Sequence, residues 1–148
     1  MSTIRFSLLA TLGLFLLMNT GCEITFRGCL DPEALNFDAT ADEDDGSCLY
    51  EGQAVFWYDA DVAEDLDAYL SDSLTFYIDG EPMLSVETNT YWLSAPDCGL
   101  YNSYTISAGL EAGEPRVATY QVIDNFDDVL WDGVVVFNNN GCTAVELN

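Results

Sequence analysis

Hydrophobic residues along this chain fall into three regimes. The first is an apolar run from Leu8 to Met18, broken only by Thr11 and Gly13. The second, residues 28–48, is poor in apolar residues, rich in turn formers and bounded by cysteines. From about Gly52 onward, short segments alternate apolar and polar positions with a period of two. Leu74-Thr75-Phe76-Tyr77-Ile78-Asp79 places Leu74, Phe76 and Ile78 on one face, and Asp79-Gly80 supplies a tight turn into a strand over Met83–Val86. Further strands are expected at Ala54–Tyr58, Ser103–Ala108, Val117–Ile123, Val129–Phe137 and Thr143–Leu147. Asn138-Asn139-Asn140-Gly141 reads as the last hairpin turn, because Asn and Gly tolerate positive φ. Helical spacing occurs at Asp61–Leu70, where Val62, Leu66, Tyr69 and Leu70 share a face, and predicts an excursion of one to two turns between strands. About seven short strands in about a hundred residues predict an all-β fold, a small Ig-like antiparallel β-sandwich over 52–148.

The amino-terminal run has the length of a signal-peptide core and is too short to cross a bilayer as a helix. It follows a short polar start carrying Arg5 and leads into Asn19-Thr20-Gly21-Cys22. Small residues directly before a cysteine resemble the lipobox read by the lipoprotein signal peptidase, although Asn19 stands where an aliphatic residue is usual. The resemblance implies a signal peptide over 1–21, a lipid such as palmitate on Cys22, and a lipidated linker over 22–27. It also implies a bacterial lipoprotein, exported and anchored to a membrane, at the outer membrane or cell surface. Cysteine parity agrees. Five cysteines leave one over in an exported chain, and lipidation of Cys22 leaves four for two bridges. The alternative is ordinary cleavage nearby with a free thiol at Cys22, which an oxidising compartment disfavours. Acyl chains contribute about 0.8 kcal/mol per buried methylene, so several long chains on Cys22 anchor almost permanently.

Residues 28–50 form an acidic module. Asp31-Pro32 and Asp45-Gly46 are turn signals, and so short a stretch buries little. Closing it by a Cys29–Cys48 disulfide contributes about 3 kcal/mol in the chain-entropy model. Cys98 and Cys142 are then expected to form the second bridge. The run Gly28-Cys29, Asp31-Pro32, Ala34, Asn36-Phe37-Asp38, Ala41 and Asp44-Asp45-Gly46-Ser47-Cys48 resembles a recurrent module of exported proteins in Bacteroidota-type bacteria. That resemblance covers about a seventh of the chain and implies export, with no activity attached. Asp38, Asp42, Asp44 and Asp45, with Glu43, crowd one loop, and clustered carboxylates are hard-oxygen ligands for calcium. Ala41 departs from the EF-hand pattern, however, so the other reading is a solvated acidic turn with Asp31 and Asp38 capping local turns.

Charge narrows the function further. The formal net charge is −23, and Arg5, Arg27 and Arg116 are the basic residues against 26 acids. Such a field repels phosphate backbones and excludes nucleic acid as a partner. The chain has no His and no Lys, which removes Ser-His-Asp and Cys-His pairs, Schiff-base lysines and His-bound zinc. A carboxylate-only mechanism survives in principle, with Asp127-Asp128 or Asp59, Asp61, Glu64, Asp65 and Asp67 as sources of a glycosidase pair.

Within the carboxy-terminal region, Ile78-Asp79-Gly80, Pro96-Asp97-Cys98-Gly99, Leu110-Glu111-Ala112-Gly113 and Trp131-Asp132-Gly133 with Gly141-Cys142 resemble small sandwich modules of the PEGA-like and carboxypeptidase-regulatory-like kind. Glu114-Pro115-Arg116 departs from their usual strand. The resemblance implies a structural or adhesive role. Trp57, Trp92 and Trp131, with Tyr58, Tyr91 and Tyr101, are the aromatics that could stack on sugar rings. Trp57 and Trp131 read as core rings, whereas Tyr91 and Trp92 are expected to be partly exposed and are the candidate ligand-binding pair. The sequence therefore points to a non-enzymatic, lipid-anchored module that interacts with a cell-surface protein or glycan. A carbohydrate-binding module is the first alternative and a carboxylate-dependent hydrolase the second, with calcium the only cofactor suggested.

Overall fold

Each period-two segment of the sequence forms a strand in the computed structural model, which describes residues 24–148. The acidic module supplies two short strands, β1 (Arg27–Gly28) and β2 (Glu43–Asp44). Seven more follow: β3 (Tyr50–Trp57), β4 (Ser73–Ile78), β5 (Glu81–Glu87), β6 (Tyr104–Leu110), β7 (Arg116–Asp124), β8 (Val129–Phe137) and β9 (Cys142–Glu146). One helix, α1 (Ala60–Ala68), separates β3 from β4. The fold is all-β, a sandwich of a four-stranded sheet in the order β5-β4-β7-β8 and a three-stranded sheet in the order β6-β3-β9.

The local chemistry explains the elements. Leu74, Phe76 and Ile78 of β4 are all buried, as their alternation predicts. Asp79 and Gly80 both adopt positive φ, 50° and 83°, the backbone that a two-residue hairpin turn requires. Asp79 also ties that turn to the neighbouring strand. Its Oδ1 accepts the Thr119 N–H at 2.9 Å, and its Oδ2 accepts from Arg116 Nη2 at 2.7 Å. The Arg116 guanidinium and these donors hold the Asp79 carboxyl below the usual carboxylate range.

The two sheets meet through aromatic rings. Phe56 of β3 lies 5.2 Å from both Phe76 and Tyr120 of the opposite sheet, and Phe76 lies 5.8 Å from Tyr104 of β6. Tyr58 and Tyr104 bring their buried hydroxyls to 3.2 Å, and Tyr104 Oη donates to the Thr90 carbonyl at 2.9 Å. Ala54, Val55 and Phe56 are all fully buried, so β3 is covered on both faces. Its inner face packs on the opposing sheet. On its outer face Val55 stands opposite Thr105 and Ala144, where the long segment after β5 is fastened. Gly99 N–H donates to Thr105 Oγ1 at 2.9 Å, and Cys98 is bonded to Cys142. That bridge spans 44 residues and contributes about 4 kcal/mol in the chain-entropy model.

Two expectations need correction. Asn138–Gly141 does not close a hairpin, because β8 and β9 lie in different sheets and β9 runs parallel to β3. The corner's hydrogen bonds go to β3 instead: Asn140 N–H donates to the Glu51 carbonyl, and Gln53 N–H to that of Gly141. The sandwich is thus antiparallel except for this one pair. The helix also makes about two and a half turns where one to two were expected, with nine residues that start one position before and end two positions before the expected Asp61–Leu70, and Asp59 caps it by accepting from the N–H groups of Asp61 and Val62. Leu66 is buried and Val62 packs on the core, but Tyr69 and Leu70 are exposed because Leu70 already turns to positive φ to end the helix.

The module rests on the same corner. Cys29 and Cys48 are bonded, with Cys29 and Ala34 buried at its centre. Tyr50 Oη donates to Asp31 Oδ2 at 2.6 Å, and Asn140 Nδ2 donates to the Glu33 carbonyl at 2.9 Å. The Asp31 carboxylate pushes the Tyr50 hydroxyl up to about 12 and is itself lowered.

Gly52 sits where β3 passes this corner, and a Cβ there would lie 2.7 Å from the Asn138 carbonyl oxygen. Backbone on backbone cannot yield cheaply. Gly52→Ala is expected to destabilise by about 2 kcal/mol, lowering Tm by several degrees. Gly109→Ala, where a Cβ meets nothing within 4 Å, is expected to leave Tm unchanged or slightly raised. Thermal melts of the two variants side by side check this.

Candidate functional site: an acid-rimmed aromatic cleft

One stripe of α1 and the loop between β7 and β8 face each other across a cleft of about 490 Å³. Val62, Asp65, Leu66 and Tyr69 line the helix wall, spaced three and four residues apart as one helical face requires. Phe126, Asp128, Leu130 and Trp131 line the other wall, and Ser71 and Asp124 close the floor between them. Tyr69 is 76% exposed and Phe126 57%, so both rings remain available. A bulge explains how neighbouring residues reach the same space. The β7–β8 register shifts between Val122↔Trp131 and Ile123↔Val129, leaving Leu130 as the extra residue. Bulges re-aim side chains in this way, and Leu130 and Trp131 both line the cleft.

Asp124 organises the floor. Its Oδ1 accepts the N–H groups of Phe126 and Asp128 at 2.9 and 3.0 Å, and its Oδ2 accepts the Ser71 hydroxyl at 3.1 Å. Burial pushes the Asp124 carboxyl up, but the backbone donors and Ser71 outweigh it and hold the group below the usual carboxylate range. A second tie lies beside it, where Asn125 Oδ1 accepts the Asp72 N–H at 2.8 Å. The helix exit and the β7–β8 loop are therefore one hydrogen-bonded unit. Asp65 and Asp128 stand at the exposed rim with no cation beside them. Among the described residues the two arginines are engaged elsewhere, Arg27 with Glu43 at 2.6 Å and Arg116 with Asp79 at 2.7 Å.

The acids of the module accept hydrogen bonds from their own stretch of the chain. Asp38 Oδ1 accepts from the N–H and hydroxyl of Thr40, Asp44 Oδ1 from Gly46 N–H, and Asp45 Oδ1 from Ser47 N–H. Asp42 Oδ2 accepts from Phe26 N–H at 3.4 Å. Asp38, Asp44 and Asp45 thus each close a short turn of their own, whereas Asp42 reaches back to Phe26, and among the described residues no three acids or cysteines converge as a metal group. Asn36 does similar work across the module, bonding the Ser47 carbonyl and the Leu49 N–H.

The six aromatics considered for sugar stacking are not all brought to one surface. Tyr58 is fully buried, Tyr101 is exposed and Tyr91 is 52% exposed. Trp92 is half-buried, donates its backbone N–H to the Tyr58 carbonyl at 3.0 Å, and keeps its indole N–H sealed off without a partner. Trp57 is half-buried on the outer face that Val55 shares and is not one of the core rings, which corrects its expected place. Trp131 packs against the core from its edge and turns to the cleft. Sequence reasoning singled out Asp65 and Asp128 as acids without seeing that they share a site. It missed Asp124, Ser71 and Phe126. The signal available was Asp124-Asn125 at a strand end, a pairing that favours side-chain-closed turns. Cys22 and the segment expected to direct export lie outside the described residues, within which no helix is long and apolar enough to cross a membrane.

Compared with family models, with curated proteins and with solved structures, the chain matches none.

Asp124→Ala removes the acceptor for three donors, and two of these are backbone groups that no other side chain reaches. It is expected to lower Tm by several degrees. The pH dependence follows from the sign of the shift. A depressed folded-state value stabilises fully above the unfolded carboxyl value of about 3.9 and is lost as pH falls through the folded value. Wild type should therefore lose stability below about pH 4 more steeply than Asp124→Ala, as acid-titrated thermal melts will show.

Proposed function

We propose that this protein is an exported, lipid-anchored module that acts by binding and performs no catalysis. The cleft carries that reading. It presents aromatic rings and rim carboxylates, while its buried carboxylate is committed to backbone donors. A glycosidase needs one carboxyl raised to act as an acid, and Asp124 is shifted the other way. No histidine or lysine occurs in the chain to act as that acid instead.

Export and anchoring draw on a separate set of facts. Cys29, Cys48, Cys98 and Cys142 are all paired, as oxidising compartments permit. The fifth cysteine is Cys22, next to the lipobox-like Asn19-Thr20-Gly21. The anchor then makes a partner at the bacterial surface, protein or glycan, the relevant class. Acidic side chains over the sandwich keep it soluble above an anionic membrane.

Expression of the full chain in a bacterial host, followed by membrane fractionation and intact mass of the mature protein, tests the anchor. Wild type should sediment with membranes and carry the mass of acyl chains on Cys22. The Cys22→Ser variant should become soluble. Membrane retention of Cys22→Ser, or an unacylated wild type, would overturn the assignment. A carbohydrate-binding role draws on the half-exposed Tyr91 beside Trp92. Glycan-array signals lost in Trp92→Ala would favour it.

A further inference from the structure

We infer that the cleft between α1 and the β7–β8 loop receives a lysine or arginine side chain from a partner protein. This deepens the binding role proposed above and rests on it. Three features specify the occupant. The first is charge. Asp65 and Asp128 line the cleft with the ionised Asp124 beneath them, and the described arginines are paired at other places. Carboxylates that share a cleft with no counter-charge are stabilised by an incoming cation. The second is the wall chemistry. Tyr69, Phe126 and Trp131 line the same space as these acids. Aromatic rings attract ammonium and guanidinium groups through their quadrupole, and Val62, Leu66 and Leu130 match the methylene stem of a long basic side chain. A purely apolar peptide leaves the carboxylates unused, and a neutral sugar leaves their charge uncompensated.

The third feature is the architecture that builds the cleft. The bulge at Leu130 brings Leu130 and Trp131 to the same wall, and the Asp124 hydrogen bonds fix the loop that carries Phe126 and Asp128. The walls are thus set before any ligand arrives, which reduces the ordering cost of binding. A second copy of this chain is a poor donor. It has no lysine, and each described arginine already holds a carboxylate.

The test uses the mature full chain, labelled with nitrogen-15, and follows the Trp131 indole N–H signal assigned by Trp131→Phe. The probes are the blocked tripeptides Gly-Lys-Gly and Gly-Arg-Gly, the neutral Gly-norleucine-Gly, and butylammonium. Titration at about 0.15 M salt screens charges farther than about 8 Å away. Both basic peptides should shift the Trp131 signal, and the norleucine peptide should bind about tenfold more weakly or not at all. The exposed-rim double variant Asp65→Asn/Asp128→Asn should lose that preference. Asp42→Asn/Asp44→Asn, which removes the same charge from the module, should keep it. Equal binding of the norleucine peptide would show an apolar groove and overturn the inference. So would an equal loss in the module variant, which would mean bulk charge alone, or butylammonium binding as tightly as the peptides, which would make this a free-amine site. Absence of any shift would overturn it as well. Fractionation of Cys22→Ser reads a different segment, so an inert cleft leaves the anchor result standing.

Discussion

Burial of β3 on both faces is the constraint around which the remainder of this protein is arranged. Ala54, Val55 and Phe56 are consecutive and fully enclosed, so the inner and outer faces of one strand both need a cover. The four-stranded sheet supplies the first through Phe76 and Tyr120. The second has no sheet behind it. A loop without regular structure performs that task, and loops rarely stay on an apolar surface unaided because their backbone groups prefer water. The Cys98–Cys142 bond and the Gly99–Thr105 hydrogen bond hold it in place. The parallel placement of β9 follows from the same demand, since the corner at Asn138–Gly141 directs its hydrogen bonds to Glu51 and Gln53. Gly52, with no room for a Cβ, marks how closely that corner presses on the strand.

The acidity is handled locally. With 26 acids and very few cations, ion pairing can neutralise only a small share of the charge. Backbone N–H groups do much of the remaining work. Asp31, Asp38, Asp44, Asp45, Asp59 and Asp124 each accept a main-chain donor within a few residues, closing a turn or capping the helix. Such bonds favour the ionised carboxylate, so acidic turns become structural elements that do not depend on a partner cation. The acidic module follows the same rule, with Asp31, Asp38, Asp44 and Asp45 closing turns through main-chain donors.

Legibility in the sequence followed the range of the interactions. The strands were legible because alternation is a property of neighbours two apart, as at Leu74, Phe76 and Ile78. The Cys29–Cys48 and Cys98–Cys142 pairs were legible from spacing and parity. What remained hidden depended on partners far along the chain. Asn138–Gly141 has the residues of a hairpin, and only the affinity of its backbone for β3 turns it into a crossing between sheets. Trp57 reads as a core ring because its neighbours are apolar, yet the register places it with Val55 on the outer face. Asp65 and Asp128 lie 63 positions apart, and no local pattern brings them together. The bulge at Leu130 depends on the pairing of β7 with β8, which the β8 sequence alone does not disclose.

The cleft lies where these long-range terms meet, and its position separates the residues proposed for recognition from those that hold the fold. Its walls come from the helix stripe and from the β7–β8 loop, both outside the aromatic centre at Phe56 and Phe76. Asp124 and Ser71 are buried and bonded to each other, so they belong to the scaffold. Asp65, Tyr69, Phe126 and Asp128 are exposed and make few bonds that the fold requires of their side chains. Substitution among these four can retune what enters the cleft while the loop beneath keeps its shape. Rigid support below variable side chains is the arrangement that binding surfaces on β-sandwiches use. It also answers the problem of size. A domain this small has little stability in reserve, and the residues proposed for recognition are ones the core does not need.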